Sequence, residues 1–137
     1  MGWRRVKITV DTNVLVRSAV RDDVTQADAA DNVLKAATLI AVPLTCLCEF
    51  VWVLRRVYRF DPADSAVAIR ALLATGNVVT NRPAADSGLS VLEAGGDFAD
   101  GVIAYEGNWL GGETFVSFDK RAVTLLSELG ENTQLLS

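Results

Sequence analysis

The chain has 137 residues, of which 50% are hydrophobic and 22% charged, and it carries a net charge of -4. This length and composition indicate one globular domain, residues 1–137, and exclude a disordered chain. The longest run without a charged residue, 36–48, is shorter than the roughly 20 residues of a membrane-spanning helix. No signal-peptide segment precedes the first strand, so we expect a cytoplasmic protein with no membrane contact.

Short apolar segments alternate with helical patterns along the whole chain. Such alternation predicts an α/β domain with a mainly parallel sheet of about four or five strands and helices on both faces. In a sheet of this kind the ligand site lies beyond the carboxyl ends of the strands. The predicted strands are 6–10, 40–42, 78–80, 114–118 and 133–136. The predicted helices start near residue 14 and then cover 25–37, 44–58, 62–74, 84–94, 97–109 and 120–129.

Four acidic residues stand beside apolar segments, where a charge is costly unless a partner neutralises it. Asp11 directly follows the first predicted strand, and Asp119 directly follows the strand at 114–118. Glu49 is the only charged residue in a long apolar stretch, and Asp100 falls in the first turn of its helix. Their positions predict that the four acids meet at one edge of one sheet.

Several of these acids also have a purely structural interpretation. Asp11, Asp97 and Asp119 each precede a helix and are suitable N-caps, because a carboxylate accepts hydrogen bonds from the unpaired N–H groups of a first turn. Asp100 would add favourable negative charge to a first turn. These roles explain the acids one by one but not their common position.

Glu49 has a different structural alternative. A buried acid is often paired with a cation, and Arg17 or Arg55 would be the partner here. If Glu49 were paired with an arginine far from Asp11, the prediction of a shared acidic site would fail.

The absence of histidine narrows the chemistry further. It removes the usual general base and the usual transition-metal ligand. Cys46 and Cys48 are too few for a zinc site and are interpreted as small buried hydrophobic residues. Carboxylates around one cavity repel one another and stay ionised chiefly by binding a cation. Oxygen ligands favour Mg²⁺ or Mn²⁺, and such an ion can activate water for attack on phosphorus.

Four segments resemble, in order and approximate spacing, the motifs of PIN domains. The chain is more narrowly similar to the VapC-type toxin ribonucleases of type II toxin-antitoxin systems, and the likeness runs from about Lys7 to the C-terminus. It implies a PIN-like three-layer sandwich. The segments are 10–15 (VDTNVL), 48–58 (CEFVWVLRRVY), 97–104 (DFADGVIA) and 118–121 (FDKR).

The resemblance also implies a function. The protein would be a metal-dependent endoribonuclease toxin that hydrolyses RNA phosphodiester bonds, forms a homodimer and is neutralised by a small cognate antitoxin. The catalytic residues, which would hold Mg²⁺ or Mn²⁺, are Asp11, Glu49, Asp100 and Asp119. Asp97 would be an outer metal ligand, and the supporting polar residues would be Thr12, Asn13 and Ser117.

The acidic net charge is unusual for an RNA-binding protein, whose surface normally carries a basic patch. Bound cations would reverse the local field, and Arg4 and Arg5 add positive charge near Asp11. The arginines that would contact RNA or the antitoxin are Arg17, Arg55, Arg56 and Arg59. For the last three the alternative is favourable charge at the C-terminus of a helix.

Gly101 departs from the family pattern, in which a residue with a Cβ is more common at this position. Inside a helix, glycine costs about 1 kcal/mol relative to alanine. We therefore expect Gly101 to reduce the rigidity of its helix without affecting the acids.

Two other functions stay open. A phosphotransferase of the haloacid dehalogenase type also places an aspartate after a strand, but it needs a second acid where this chain has Asn13. A non-catalytic interaction module could use the same fold, because fold alone does not determine function.

Overall fold

The computed structural model describes residues 6–137, so Arg4 and Arg5 lie outside the described residues. The described chain contains seven α-helices and five β-strands in alternation, which confirms the predicted α/β class. It divides into two compact units, Met1–Thr80 and Asn81–Ser137. The assignment of all 137 residues to a single domain stays a prediction.

A three-stranded parallel sheet organises the first unit. Its order is β1 (Lys7–Thr9), β2 (Leu39–Ala41) and β3 (Val78–Val79), with Thr9 opposite Ala41 and Ala41 opposite Val79. The Val10 N–H donates to the carbonyl of Ala41, which continues the pairing to the carboxyl end of β1. Asp11 therefore lies directly beyond the carboxyl end of β1, at the carboxyl edge of the sheet.

Four helices complete the first unit: α1 (Thr12–Val20), α2 (Val24–Ala36), α3 (Leu44–Arg56) and α4 (Pro62–Leu73). α1 packs against α2 and α3, and α3 packs against α4. Leu47, Phe50 and Leu54 recur at helical spacing on α3 and are at most 2% exposed. Burial of each such side chain contributes about 1.5–3 kcal/mol, so the inner face of α3 is fixed in the core.

The second unit has a two-stranded parallel sheet, β4 (Phe115–Ser117) paired with β5 (Thr133–Leu135). Its helices are α5 (Arg82–Glu93), α6 (Phe98–Trp109) and α7 (Lys120–Glu128). Val91, Ala104 and Leu126, one from each helix, form a buried cluster against which Phe115 packs. Each helix and strand of both units begins within two residues of its predicted start, and each except α1, for which no end was predicted, also ends within two residues of its predicted end.

Two glycines allow α5 and α6 to approach each other closely. A Cβ on Gly101 would lie 2.3 Å from the carbonyl oxygen of Ser87 and 2.8 Å from the Cα of Gly88. A Cβ on Gly88 would lie 2.7 Å from the ring of Phe98, which is fully buried. The expectation that Gly101 loosens α6 is wrong, because the missing Cβ is what permits this contact.

Strand pairing differs from the prediction in one respect. The five strands are parallel, as expected, but the described strands form two sheets, because β4 is paired with β5 and not with the sheet of β1. Local sequence patterns identify strands, whereas pairing depends on distant contacts. Asp11 and Glu49 therefore belong to the first unit, and Asp100 and Asp119 belong to the second.

Candidate active site

Asp11 and Glu49, here called the first acidic group, are linked through Thr12. Asp11 is the N-cap of α1, and its Oδ1 accepts a hydrogen bond from the Thr12 backbone N–H at 2.6 Å. The Thr12 hydroxyl, which is buried, donates to Oε1 of Glu49 at 3.4 Å. α1 and α3 thus bring an acid from the end of β1 close to an acid 38 positions later in the chain.

Cys46 lies near the same two negatively charged side chains, Asp11 and Glu49. Its Sγ lies 3.8 Å from the Thr12 hydroxyl. Burial raises the pKa of the Cys46 thiol, and the charges of Asp11 and Glu49 raise this pKa further. Cys46 is buried, as its apolar surroundings in the sequence predict, but its contact with Thr12 is not predictable in the same way. Two residues so far apart in the chain carry no local signal of this contact.

Glu49 is not neutralised by an arginine within residues 6–137, where it forms no ion pair with Arg17 or Arg55. Arg17 instead binds Asp22 at 3.1 Å, and Asp22 also accepts a hydrogen bond from the Tyr58 hydroxyl at 2.9 Å. The structural alternative for Glu49 is therefore contradicted. Its carboxylate faces the Thr12 hydroxyl and solvent.

Asp97, Asp100 and Asp119 form the second acidic group. Asp97 is the N-cap of α6 and accepts the Ala99 N–H at 3.1 Å. Asp119 is the N-cap of α7. It accepts hydrogen bonds from the backbone N–H groups of Arg121 and Ala122, at 3.0 and 3.1 Å. The capping interpretation is thus confirmed for both, but each cap uses Oδ1 alone. Oδ2 is not used by the caps, so capping is compatible with metal binding.

Asp100 is the least solvated acid of the second group. It lies half-buried in the first turn of α6. Burial, together with the smaller effects of the nearby charges of Asp97 and Asp119, raises the pKa of Asp100 to about 6. The ionised form of Asp100 is therefore costly in the metal-free protein, and a bound cation would relieve that cost.

This environment predicts the pH dependence of stability without metal. Because the pKa of Asp100 is raised, the folded protein binds its proton more tightly than the unfolded chain, and stability falls as the pH rises from about 4 to about 6. Asp100→Asn does not titrate. In EDTA it should therefore be more stable than the wild type by about 1 kcal/mol near pH 7.5, after allowance for solvent screening, and should lose this advantage near pH 4. Thermal unfolding at both pH values measures the difference, and a pH-independent difference would contradict the assignment.

The supporting polar residues have unequal roles. The Ser117 hydroxyl accepts a hydrogen bond from the Asp119 N–H at 2.9 Å and so fixes the turn that presents this acid. Thr12 orients Glu49, as described above. Asn13 is exposed in the first turn of α1, and its support of the carboxylates stays a prediction.

The predicted contact arginines lie mostly near the end of α3. Arg56 is exposed, and Arg59 has a positive φ of 58°. Arg55 is half-buried, and within the described chain its Nε has no hydrogen-bond partner. Arg55 and Arg56 fall in the last helical turn, as the helix-end alternative requires. Their contact with RNA or with an antitoxin stays a prediction.

The acids fit a hard divalent cation by their donor type. All are carboxylates, the ligands that suit Mg²⁺ and Mn²⁺, and the raised pKa of Asp100 marks a position where a cation would be favourable. Within residues 6–137, no three acidic or cysteine side chains already form a group that could hold a metal ion.

A cavity of about 480 Å³ in the first unit is not this site. It lies among the helices α1 to α4 and the strands β2 and β3, and its wall is mainly apolar, including Leu15, Ile40 and Phe50. None of the acids of the first acidic group is among the described residues that line it. Its chemistry does not match metal binding, so the acids rather than this cavity identify the candidate active site.

Comparison with protein families gives a match over most of the chain. A family model described as the PIN domain matches residues 8–126, a segment that includes both acidic groups. The chain belongs to the PIN domain family. PIN domains are generally nucleases and usually bind a divalent metal, which favours the nuclease interpretation over the haloacid dehalogenase alternative. No curated protein matches this PIN domain. Within residues 6–137, no helix has the length and apolar composition needed to cross a membrane.

Proposed function

We propose that this PIN domain is a Mg²⁺- or Mn²⁺-dependent endoribonuclease and the toxin of a toxin-antitoxin pair. The observation that carries the proposal is Asp100, a half-buried acid with a raised pKa beside Asp97 and Asp119. A cap for α6 is already supplied by Asp97, so Asp100 is not needed to begin that helix. A partly buried carboxyl among other carboxylates is typical of a functional site.

In this proposal, Asp11, Glu49, Asp100 and Asp119 hold the cation, and Asp97 is an outer ligand. The bound ion would lower the pKa of a coordinated water and offset the charge that develops on the phosphate. Thr12 keeps the carboxylate of Glu49 oriented through its hydrogen bond. The charge of a bound cation would offset that of the Asp100 carboxylate and so favour its ionised form at neutral pH.

A cleavage assay tests this proposal. Purified protein is incubated with mixed RNAs in Mn²⁺ and, separately, in EDTA. We expect cleavage in Mn²⁺ but not in EDTA, because a bound cation would lower the pKa of a coordinated water and offset the charge on the phosphate. Equal cleavage in both would contradict the metal requirement, and no cleavage in either would favour a non-catalytic interaction module. Phosphate release from a small phosphomonoester would favour a phosphotransferase.

The toxin role and the homodimer are supported by the VapC-type resemblance of segments 10–15, 48–58, 97–104 and 118–121. A small antitoxin would cover the acids and stop cleavage. Expression together with the protein encoded beside it tests this role: we expect a stable complex without ribonuclease activity. Full activity in the presence of that neighbour would contradict the role, while leaving the nuclease proposal intact.

A further inference from the structure

Arg121 binds the turn between α5 and α6 with two hydrogen bonds. Its Nε and Nη2 both donate to the carbonyl oxygen of Gly95, at 3.2 and 2.9 Å. Two donors of a planar guanidinium on one oxygen fix both the distance and the orientation of the turn. Here this contact is called the Arg121 clamp.

The Arg121 clamp connects the chain segments that carry the second acidic group. The Arg121 backbone N–H donates to Oδ1 of Asp119, while its side chain holds Gly95, two residues before Asp97. Asp97 in turn caps the helix that contains Asp100. One residue therefore contacts Asp119 directly and sets the position of the turn that leads to the other two acids.

The turn is shaped to receive the guanidinium. Gly95 has a φ of +93°, and a Cβ there would lie 2.7 Å from Nη2 of Arg121. A Cβ on the next residue, Gly96, would lie 2.5 Å from Cδ1 of Leu125 on α7. Both glycines thus permit close packing of the turn on α7, and Gly95 is additionally required by its backbone conformation.

We infer that Arg121 is a positioning residue for the metal ligands, which holds Asp97 and Asp100 at a fixed distance from Asp119. The inference rests on the proposed function, because it assigns these acids to a metal. Ligands that must converge on one cation lose affinity when the segments carrying them move independently, and loss of a supporting partner typically weakens metal binding 10- to 100-fold.

The test is the Mn²⁺ affinity of three variants, measured by calorimetry at a temperature where circular dichroism shows each to be folded. Arg121→Met, which removes the clamp but keeps apolar bulk, should bind Mn²⁺ about tenfold more weakly. Arg121→Lys keeps the charge but not the two-donor fork, so it should not restore the affinity. Lys120→Met, the matched control, removes a neighbouring charge and should leave the affinity unchanged.

Wild-type affinity in Arg121→Met, recovery in Arg121→Lys, or an equal loss in Lys120→Met would overturn the inference. If Arg121→Met does not fold, Arg121→Lys decides, since weak Mn²⁺ binding supports the clamp and wild-type binding overturns it. A wild type that neither binds Mn²⁺ nor cleaves RNA would instead overturn the proposed function.

Discussion

Asp100→Asn should reduce the rate of RNA cleavage in saturating Mn²⁺ at least about 100-fold. The substitution keeps the shape of the side chain and one oxygen but removes the charge that a cation would neutralise. Asp100 is also the least solvated acid of the second acidic group, so water is poorly placed to replace it. Initial cleavage rates of wild type and variant, at equal concentrations, measure the effect.

Asp86→Asn is the matched control for this loss. Asp86 is an exposed acid on α5 in the same unit, and we expect its substitution to leave the rate within about twofold, because surface changes of this kind have small effects. Unfolding would not explain the loss at Asp100, since Asp100→Asn is expected to be more stable than the metal-free wild type at neutral pH. Wild-type cleavage by Asp100→Asn would contradict the proposed metal role.

Gly101→Ala should destabilise the protein by about 3 kcal/mol. The added Cβ would meet the backbone of α5, 2.3 Å from the carbonyl oxygen of Ser87, and backbone cannot rotate aside as a side chain can. α5 and α6 must then separate, which exposes the buried side chain of Phe98. Chemical denaturation gives the free energy of unfolding directly.

Gly107→Ala, on the same helix, has the opposite expectation. A Cβ on Gly107 would meet nothing within 4 Å, so alanine adds only helix propensity and should stabilise the protein by about 0.5–1 kcal/mol. Both variants replace glycine by alanine in the same helix. The difference between their free energies of unfolding therefore measures the cost of the clash with α5 separately from helix propensity. A stabilising Gly101→Ala would show that α5 and α6 are not in the described contact.

The parts of the fold that could be predicted from the sequence are those that have a local cause. Asp97 and Asp119 were recognisable as caps because the N-cap signal lies within a few residues of the cap. The apolar stripe of α3 follows from helical spacing of Leu47, Phe50 and Leu54, and β1 from a short apolar run before Asp11. These patterns located the elements and the acids at their ends.

The features that sequence did not predict depend on distant contacts. The hydrogen bond from Thr12 to Glu49 spans 37 positions, and the contact from Arg121 to Gly95 spans 26. Gly101 was misinterpreted because helix propensity treats a helix as isolated, whereas the backbone of α5 decides which residue fits. The division of the strands into two sheets has the same origin, since a short strand does not encode its partner.

We propose that Glu49 and Asp119 bind one common Mn²⁺ ion, and a double-mutant cycle of Mn²⁺ affinity tests this proposal most directly. The variants are Glu49→Gln, Asp119→Asn and the double substitution, measured by calorimetry. Substitutions of residues that bind a common ligand have non-additive effects on its binding free energy. We therefore predict that each single substitution weakens Mn²⁺ binding at least about tenfold and that the double costs less than the sum of the two. Unchanged affinity in either single variant, or strict additivity, would contradict the claim.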